Sequence, residues 1–385
     1  MAAEKRLRIA YLSSADPKDL RSWSGIHHSV FTTLENHCGQ VSAIGPFVPK
    51  WEYFFGRVLS FLSSRIFKKR HDYTHSKRIA KAYGMYFNKK IQEGNYDLVF
   101  AVAASSELAY VQTTLPIYYL ADATFANVKG YYPFYSNLLA SSEREGEEIQ
   151  KLALEKCAHL FFPSEWAANS AINDYGIARE KITITPLGAN MKEVPSFSKR
   201  TRSTDDKQVR LLFIGVEWER KGGPCALEAL KDLQQRGYSA SLTIVGCTPE
   251  ISATGVKVIP FINKNDPAQR EEFLALFTNH DFLILPTKAE CFGLVFCEAS
   301  AMGLPSLASD TGGVRGAIRE GINGHLLPAK ASGKDYSDKI VEIISDPVRY
   351  EKLAASSRSL FERELNWEAW GTTVAAEIKA IVNIL

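Results

Sequence analysis

Short apolar runs, each followed by a segment long enough for a helix, recur twice over along this chain, and that alternation constrains the fold more than any other feature. In the first half the runs are Arg8 to Leu12, Tyr96 to Val102, Pro116 to Leu120, His159 to Pro163 and Lys181 to Gly188. Such alternation predicts a doubly wound parallel sheet. Residues 191–208 are polar and basic without an apolar period, the composition of an interdomain connection. The pattern restarts with Val209 to Gly215, Ser241 to Gly246, Val256 to Pro260 and Phe282 to Pro286, so a second α/β domain repeats the first. After Asp346-Pro347 the chain reads as helical to its end, with Trp367 and Trp370 spaced to share a face. The expected organisation is a domain over 1–192, a second over 193–365 and a last helix over 366–385.

Two domains of ordinary size suit 385 residues, and 45% hydrophobic with 23% charged residues is normal for a globular protein. The formal net charge of +3 is too small to argue for nucleic acid, and no recognition helix or RNA-binding aromatic signature accompanies the basic residues. Six cysteines without a C-x-x-C pair read as reduced thiols. Only Ile9 to Leu12 follows the first cations as an apolar run, far short of a signal segment. Nothing later approaches the roughly 18 apolar residues of a membrane span. A cytoplasmic protein is expected. The sequence has no G-x-G-x-x-G, no G-x-x-x-x-G-K-[ST], no D-x-D pair and no His/Cys ligand cluster, so dehydrogenase, NTPase and metal-dependent sites lose their fingerprints.

The chemistry concentrates in Glu290-Cys291-Phe292-Gly293-Leu294-Val295-Phe296-Cys297-Glu298, which follows the run Phe282 to Pro286. Strand tip, turn and helix N-terminus form the ligand-binding end of an open α/β sheet. Two carboxylates there cost desolvation energy unless a polar ligand meets them. They can hold hydroxyls while helix N–H groups hold phosphate, the chemistry of a nucleotide sugar. An isolated pair of this spacing would otherwise be one acidic helix-start residue and one solvated Glu. At the end of another run, Gly215, Arg220, Lys221, Gly222 and Gly223 set two cations beside flexible glycines, suited to a departing diphosphate.

Glu290 to Pro305, then Ser309 to Gly313 and Glu320 to Pro328, together with Phe213-Ile214-Gly215 and Arg220 to Gly223 upstream, resemble the donor half of retaining glycosyltransferases of family 4 (glycosyl transferases group 1). The similarity runs through nearly the whole chain. It implies the GT-B fold: two Rossmann-like doubly wound domains facing across a cleft, the C-terminal helix crossing back to the N-terminal domain. By this resemblance Glu298 accepts from the ribose hydroxyls, and Glu290 accepts from a sugar hydroxyl and stabilises positive charge at the anomeric carbon. Phe292, Gly293 and Leu294 offer backbone N–H groups to phosphate. The loop Ser22 to Val30 resembles the Gly-containing loop near donor phosphate and acceptor, where Gly25 lets backbone come close. His27 and His28 are candidate phosphate or acceptor contacts there, or plain polar surface.

Departures stand beside these matches. The Arg often directly after the strand Gly is Val216, so either Arg220 supplies the missing cation or only Lys221 does. An acidic residue common after Gly312-Gly313 is Gly316. The His common after a mid-domain strand is absent, and Asp122 is its natural substitute, or a helix cap. Ser164-Glu165-Trp166 and Gly188-Ala189-Asn190 are lesser candidates.

From Lys50 to Lys90 eleven cations face only Glu52 and Asp72, a net +9 in a chain of +3. Trp51, Phe54, Phe55, Val58, Leu59, Leu62 and Ile66 keep helical spacing, which predicts an amphipathic helix leading into a basic cluster. It would rest either on anionic lipid near a lipid-linked acceptor, or on the N-terminal domain with its basic face solvated. The expected function is metal-independent, retaining transfer of a sugar from a nucleoside diphosphate sugar to a saccharide, lipid-linked or other small acceptor, without a further cofactor. The rivals are a nucleotide-sugar 2-epimerase and a non-catalytic sugar-nucleotide or membrane-surface binding protein.

Overall fold

The computed structural model describes residues 6–191, 193–203, 205–264 and 266–382. Each apolar run named above forms a strand, and the chain divides into two compact units, Met1–Pro186 with Trp367–Leu385, and Leu187–Asn366. The first contains β1 Leu7–Leu12, β2 Gly39–Ala43, β3 Leu98–Val102, β4 Ile117–Leu120, β5 His159–Phe162 and β6 Ile182–Ile184. They lie in the order β2-β1-β3-β4-β5-β6 with every neighbouring pair parallel. All five residues of β3 are buried, as an unbroken Leu-Val-Phe-Ala-Val run must be when helices cover both faces of a parallel sheet.

The last helix, Trp367–Val382, belongs to this first unit although 180 residues of the second precede it. It packs on the helix Ile26–His37. Trp370 is fully buried, edge-on to Phe100 with ring centroids 6.3 Å apart. A Cβ on Gly371 would come within 2.5 Å of Thr33 Cγ2 and His37 Cδ2, so only hydrogen fits at this crossing. The Thr183 hydroxyl donates to Glu377 at 3.1 Å.

The second unit holds β7 Gln208–Ile214, β8 Ser239–Val245, β9 Val256–Ile259, β10 Phe282–Leu285, β11 Ser306–Asp310 and β12 Gly324–Pro328. Their order is β12-β11-β10-β7-β8-β9, again parallel throughout. The two central strands, β7 and β10, therefore end side by side. The polar stretch after Gly188 is fastened to this unit. Arg200 donates to the carbonyls of His280 at 2.6 Å and Phe277 at 2.5 Å, filling orphan acceptors at the end of the helix Pro267–Asn279. Leu187 is buried, and Ala189 N donates to Leu365 O at 3.0 Å. The changeover accordingly falls between Pro186 and Leu187, six residues before the expected boundary; Lys192 itself lies outside the described residues.

Candidate active site

The turn after β7 and the turn after β10 are built against each other. Gly215 N continues the sheet by donating to Val245 O at 2.9 Å, and the chain then coils through Lys221 to Gly222, whose φ is +80°. That left-handed conformation is cheap only for glycine. Space enforces the same choice, since a Cβ there would sit 1.8 Å from Pro286 O. The helix Gly223–Gln235 starts at once, with Pro224 in its first turn. Across from it, Lys288 N donates to Arg220 O at 2.8 Å, and the Arg220 guanidinium donates to Ala289 O at 2.7 Å and to Glu217 at 2.5 Å. Thr287, fully buried, donates to Ala289 O at 3.0 Å. Arg220 thus ties the two turns together.

Lys221 turns the other way, into an ion pair with Glu290 in which the Lys221 ammonium donates to Glu290 Oε2. Both side chains are mostly withdrawn from solvent, at 13% and 12% exposure, so each offsets the desolvation of the other. Gly313 N donates to the Glu290 carbonyl at 3.0 Å, fixing the turn from the side of β11. Gly293, at φ +91°, caps the helix Leu294–Ala301, and a Cβ on it would lie 2.6 Å from the Phe296 ring. Phe292 is buried, which sets the direction of the turn, and Leu294 opens the helix.

Glu298 lies one turn into that helix and is 4% exposed. Its Oε1 accepts from the Lys264 ammonium at 2.9 Å, and Lys264 in turn stands 4.0 Å from the centroid of the Phe273 ring. Lys264 was not singled out from the sequence. Its signal was its place after β9, at the carboxyl end of the sheet where ligands bind. Lys221, Glu290, Glu298 and Arg220 are therefore brought together around the ends of β7 and β10, with Lys264 added. Gly316 lies buried in the short helix Val314–Ala317. Among the described residues no three His, Cys, Asp or Glu side chains cluster as a cation site would require.

In the first unit, Trp23, Ser24 and Gly25 all take positive φ, at 47°, 55° and 84°, before the helix Ile26–His37 begins. His27 and His28 are thus on the first turn of a helix and not in a loop. His27 is 4% exposed, its Nδ1 2.8 Å from the Tyr11 hydroxyl, and burial pulls its pKa down to about 4. It is a neutral core group near pH 7, and His28 alone of the two is half-exposed. Asp122 follows β4 and is partly exposed. It is not a cap: Thr124 and Asn127 cap the helix Phe125–Val128 reciprocally. Ser164 caps the helix Glu165–Asn173.

Two parallel Rossmann-like α/β units, with the C-terminal helix returned to the first, define the fold of the GT-B glycosyltransferases. The sucrose-phosphate synthase (tll1590) from Thermosynechococcus elongatus superposes with a TM-score of 0.64 at 17% identity, covering 99% of this chain and 100% of that one. Anabaena Alr3699/HepE in complex with UDP and glucose superposes with a TM-score of 0.60 at 15% identity, covering 98% and 100%. Residues 196–360, which lie within this second unit, match the family model of the glycosyl transferases group 1. A D-inositol 3-phosphate glycosyltransferase from Paenarthrobacter aurescens is 25% identical over 258 residues, 62% of this chain and 60% of that protein. The alignment thus spans about three-fifths of that relative's length.

Proposed function

We propose that the protein is a retaining glycosyltransferase of family 4 that needs no metal ion and moves a hexose-type sugar from a nucleoside diphosphate donor to an acceptor recognised by the first unit. The observation that carries this reading is the withdrawn Lys221–Glu290 pair at the ends of two adjacent strands, with the buried Glu298 carboxylate on the helix that follows. Two Glu298 oxygens can accept from both hydroxyls of a ribose. Lys221 stabilises charge on the departing diphosphate, helped by N–H groups at Gly293 and Leu294 and by the close approach that Gly215 permits. Arg220 shapes the pocket by tying its turns together. Glu290 accepts from the sugar and stabilises positive charge at the anomeric carbon, and Asp122 and His28 with the Gly25 loop receive sugar and acceptor.

With the reactants aligned, the leaving phosphate oxygen takes the acceptor's proton on the same face, so the protein positions groups and stabilises charge. The D-inositol 3-phosphate relative and the UDP and glucose in the Anabaena structure support a nucleotide-sugar donor and a small hydroxyl acceptor. No cofactor beyond the donor is needed. The acceptor is a saccharide or a lipid-linked compound, and the protein works in the cytoplasm, with the basic segment 50–90 in peripheral contact with an anionic membrane. A thermal-shift panel of UDP-, GDP- and dTDP-sugars tests the donor site, because a ligand that binds only the folded state raises its apparent stability. At least one should raise the midpoint; no shift from any of them at millimolar concentration overturns the reading. Release of nucleoside diphosphate only when acceptor is supplied separates transfer from 2-epimerisation.

A further inference from the structure

Helices on globular domains turn their apolar stripe inward. The helix Lys50–Ile66 does the reverse. Its packed row is Tyr53, Gly56, Ser60 and Ser63, of which only Gly56 and Ser63 are fully buried. Gly56 lies so close to Tyr73 that a Cβ on it would come within 2.4 Å of Tyr73 Cβ. Ser63 Oγ accepts from His71 N at 3.1 Å and donates to Ser60 O at 3.1 Å, while the Tyr53 and Tyr83 hydroxyls meet at 3.2 Å. Small and polar groups thus fix the orientation of the helix, and its large apolar side chains point to solvent.

Trp51 is 73% exposed, Phe54 57%, Phe61 60% and Ile66 67%, with Val58 and Leu62 at 41% and 45%. At 3.6 residues per turn these positions fall in one arc of roughly 140°, along about 22 Å of helix. A contiguous apolar face of that size on a globular protein marks an interaction surface. Cations border it. Arg57 and Lys50 lie along one flank, Lys68 and Lys69 are exposed just past the end, and Arg65 and Arg78 stack over the rings of Phe61 and Phe55 at 5.2 and 4.7 Å. Within 50–90 the net charge is +9.

We infer that this helix seats in the boundary between headgroups and acyl chains of an anionic bilayer, its aromatic arc among the chains and its cations on lipid phosphates, and that the acceptor is consequently lipid-linked. The acceptor clause rests on the transfer reading above; the seating does not. Aromatic and aliphatic residues on one face with Lys and Arg at its edges are what an interfacial helix requires. A second copy of this chain is the poorer occupant, because a symmetric contact would bring two segments of +9 together. The bilayer supplies the complementary charge.

Sedimentation with vesicles of phosphatidylcholine alone, or with added phosphatidylglycerol, tests the seating. Wild type should bind the anionic vesicles, and raised salt should weaken that binding without abolishing it, because screening acts on the cations and not on inserted apolar groups. Phe61→Ser with Leu62→Ser should bind at least tenfold more weakly at every salt concentration, whereas Lys68→Gln with Lys69→Gln should lose binding mainly at low salt. These positions are exposed, so circular dichroism and the donor-induced thermal shift should match wild type in both variants; an unchanged shift keeps this test separate from that of the donor site. Absence of vesicle binding by wild type overturns the inference. So does equal binding by the Phe61/Leu62 variant, or a dimer in sedimentation velocity that this variant dissociates. For the acceptor, turnover on a lipid-linked saccharide in anionic vesicles should fall in the Phe61/Leu62 variant, with turnover on a water-soluble saccharide unchanged; equal loss on both overturns the lipid-linked assignment.

Discussion

Lys221 and Glu290 satisfy each other at the meeting of two turns, so removing either leaves a poorly solvated charge behind. Lys221→Ala should lower kcat at least a hundredfold while weakening nucleoside diphosphate binding much less, because the ammonium matters most as charge develops on the leaving group. Steady-state kinetics beside calorimetry distinguishes the two; equal losses would give Lys221 a role in the fold alone. Glu298→Gln should weaken nucleotide binding by roughly 1–3 kcal/mol, having lost a charged acceptor for buried hydroxyls. Its pair with the half-exposed Lys264 adds only about 1 kcal/mol or less to stability, so the melting temperature should barely move while calorimetry reports the change in affinity. Both carboxylates and Lys221 were legible in the sequence because each lies in the turn or on the helix that directly follows a strand. Lys264 was not, because it reaches Glu298 across 34 positions of sequence. His27 was misplaced for the same reason, its partner Tyr11 belonging to β1 and not to its own segment.

At the scale of elements, two glycines decide how the turns lie. Gly222→Ala should cost at least about 2 kcal/mol, since positive φ and a contact with the Pro286 carbonyl act together and backbone cannot give way as a flexible side chain does. Denaturant unfolding would show the loss; an unchanged midpoint would mean that the two turns are not held against each other. Continuous apolar runs made nine of the twelve strands among the described residues readable. The other three carry different signals: β2 is Gly-Gln-Val-Ser-Ala on an edge of the first sheet, β12 is an edge of the second sheet and starts with glycine, and β11 buries Ser306 and Ser309 where an apolar run was the cue. The helix Lys50–Ile66 shows another limit. Periodicity located its apolar stripe but could not say which way the stripe faced, because that depends on the fit of Gly56 against Tyr73 and of Ser63 against His71.

Buried histidines contribute to the acid sensitivity of the whole molecule above pH 4. Burial holds His27 at about 4 and also lowers His159 and His280. Between pH 6.5 and 4 the unfolded chain binds the proton that folded His27 refuses, so stability rises with pH and is lost as pH falls through that window. His27 accounts for on the order of 3 kcal/mol of it. His27→Gln can still hydrogen-bond the Tyr11 hydroxyl and should flatten part of the decline between pH 7 and 5, measured by denaturant midpoints; a decline as steep as in wild type would remove His27 from the explanation.

The chain's last helix is part of the core of its first unit. The helix Trp367–Val382 places Trp370, Val374 and Ile378, all 1% exposed or less, into the first unit, whereas Leu187–Asn366 closes its own core without them. Losing a buried Trp alone costs about 3–5 kcal/mol, and two further buried aliphatic side chains bring the loss into the range of a domain's whole stability of about 5–15 kcal/mol. A chain ending at Asn366 should therefore lose the folded first unit and keep the second. Calorimetry should show one cooperative transition fewer, limited proteolysis should spare a fragment near 187–366, and a nucleotide that binds the second unit should still raise that fragment's melting temperature. If the truncated chain melts as wild type does, the last helix is an ornament to the first unit and not part of its core.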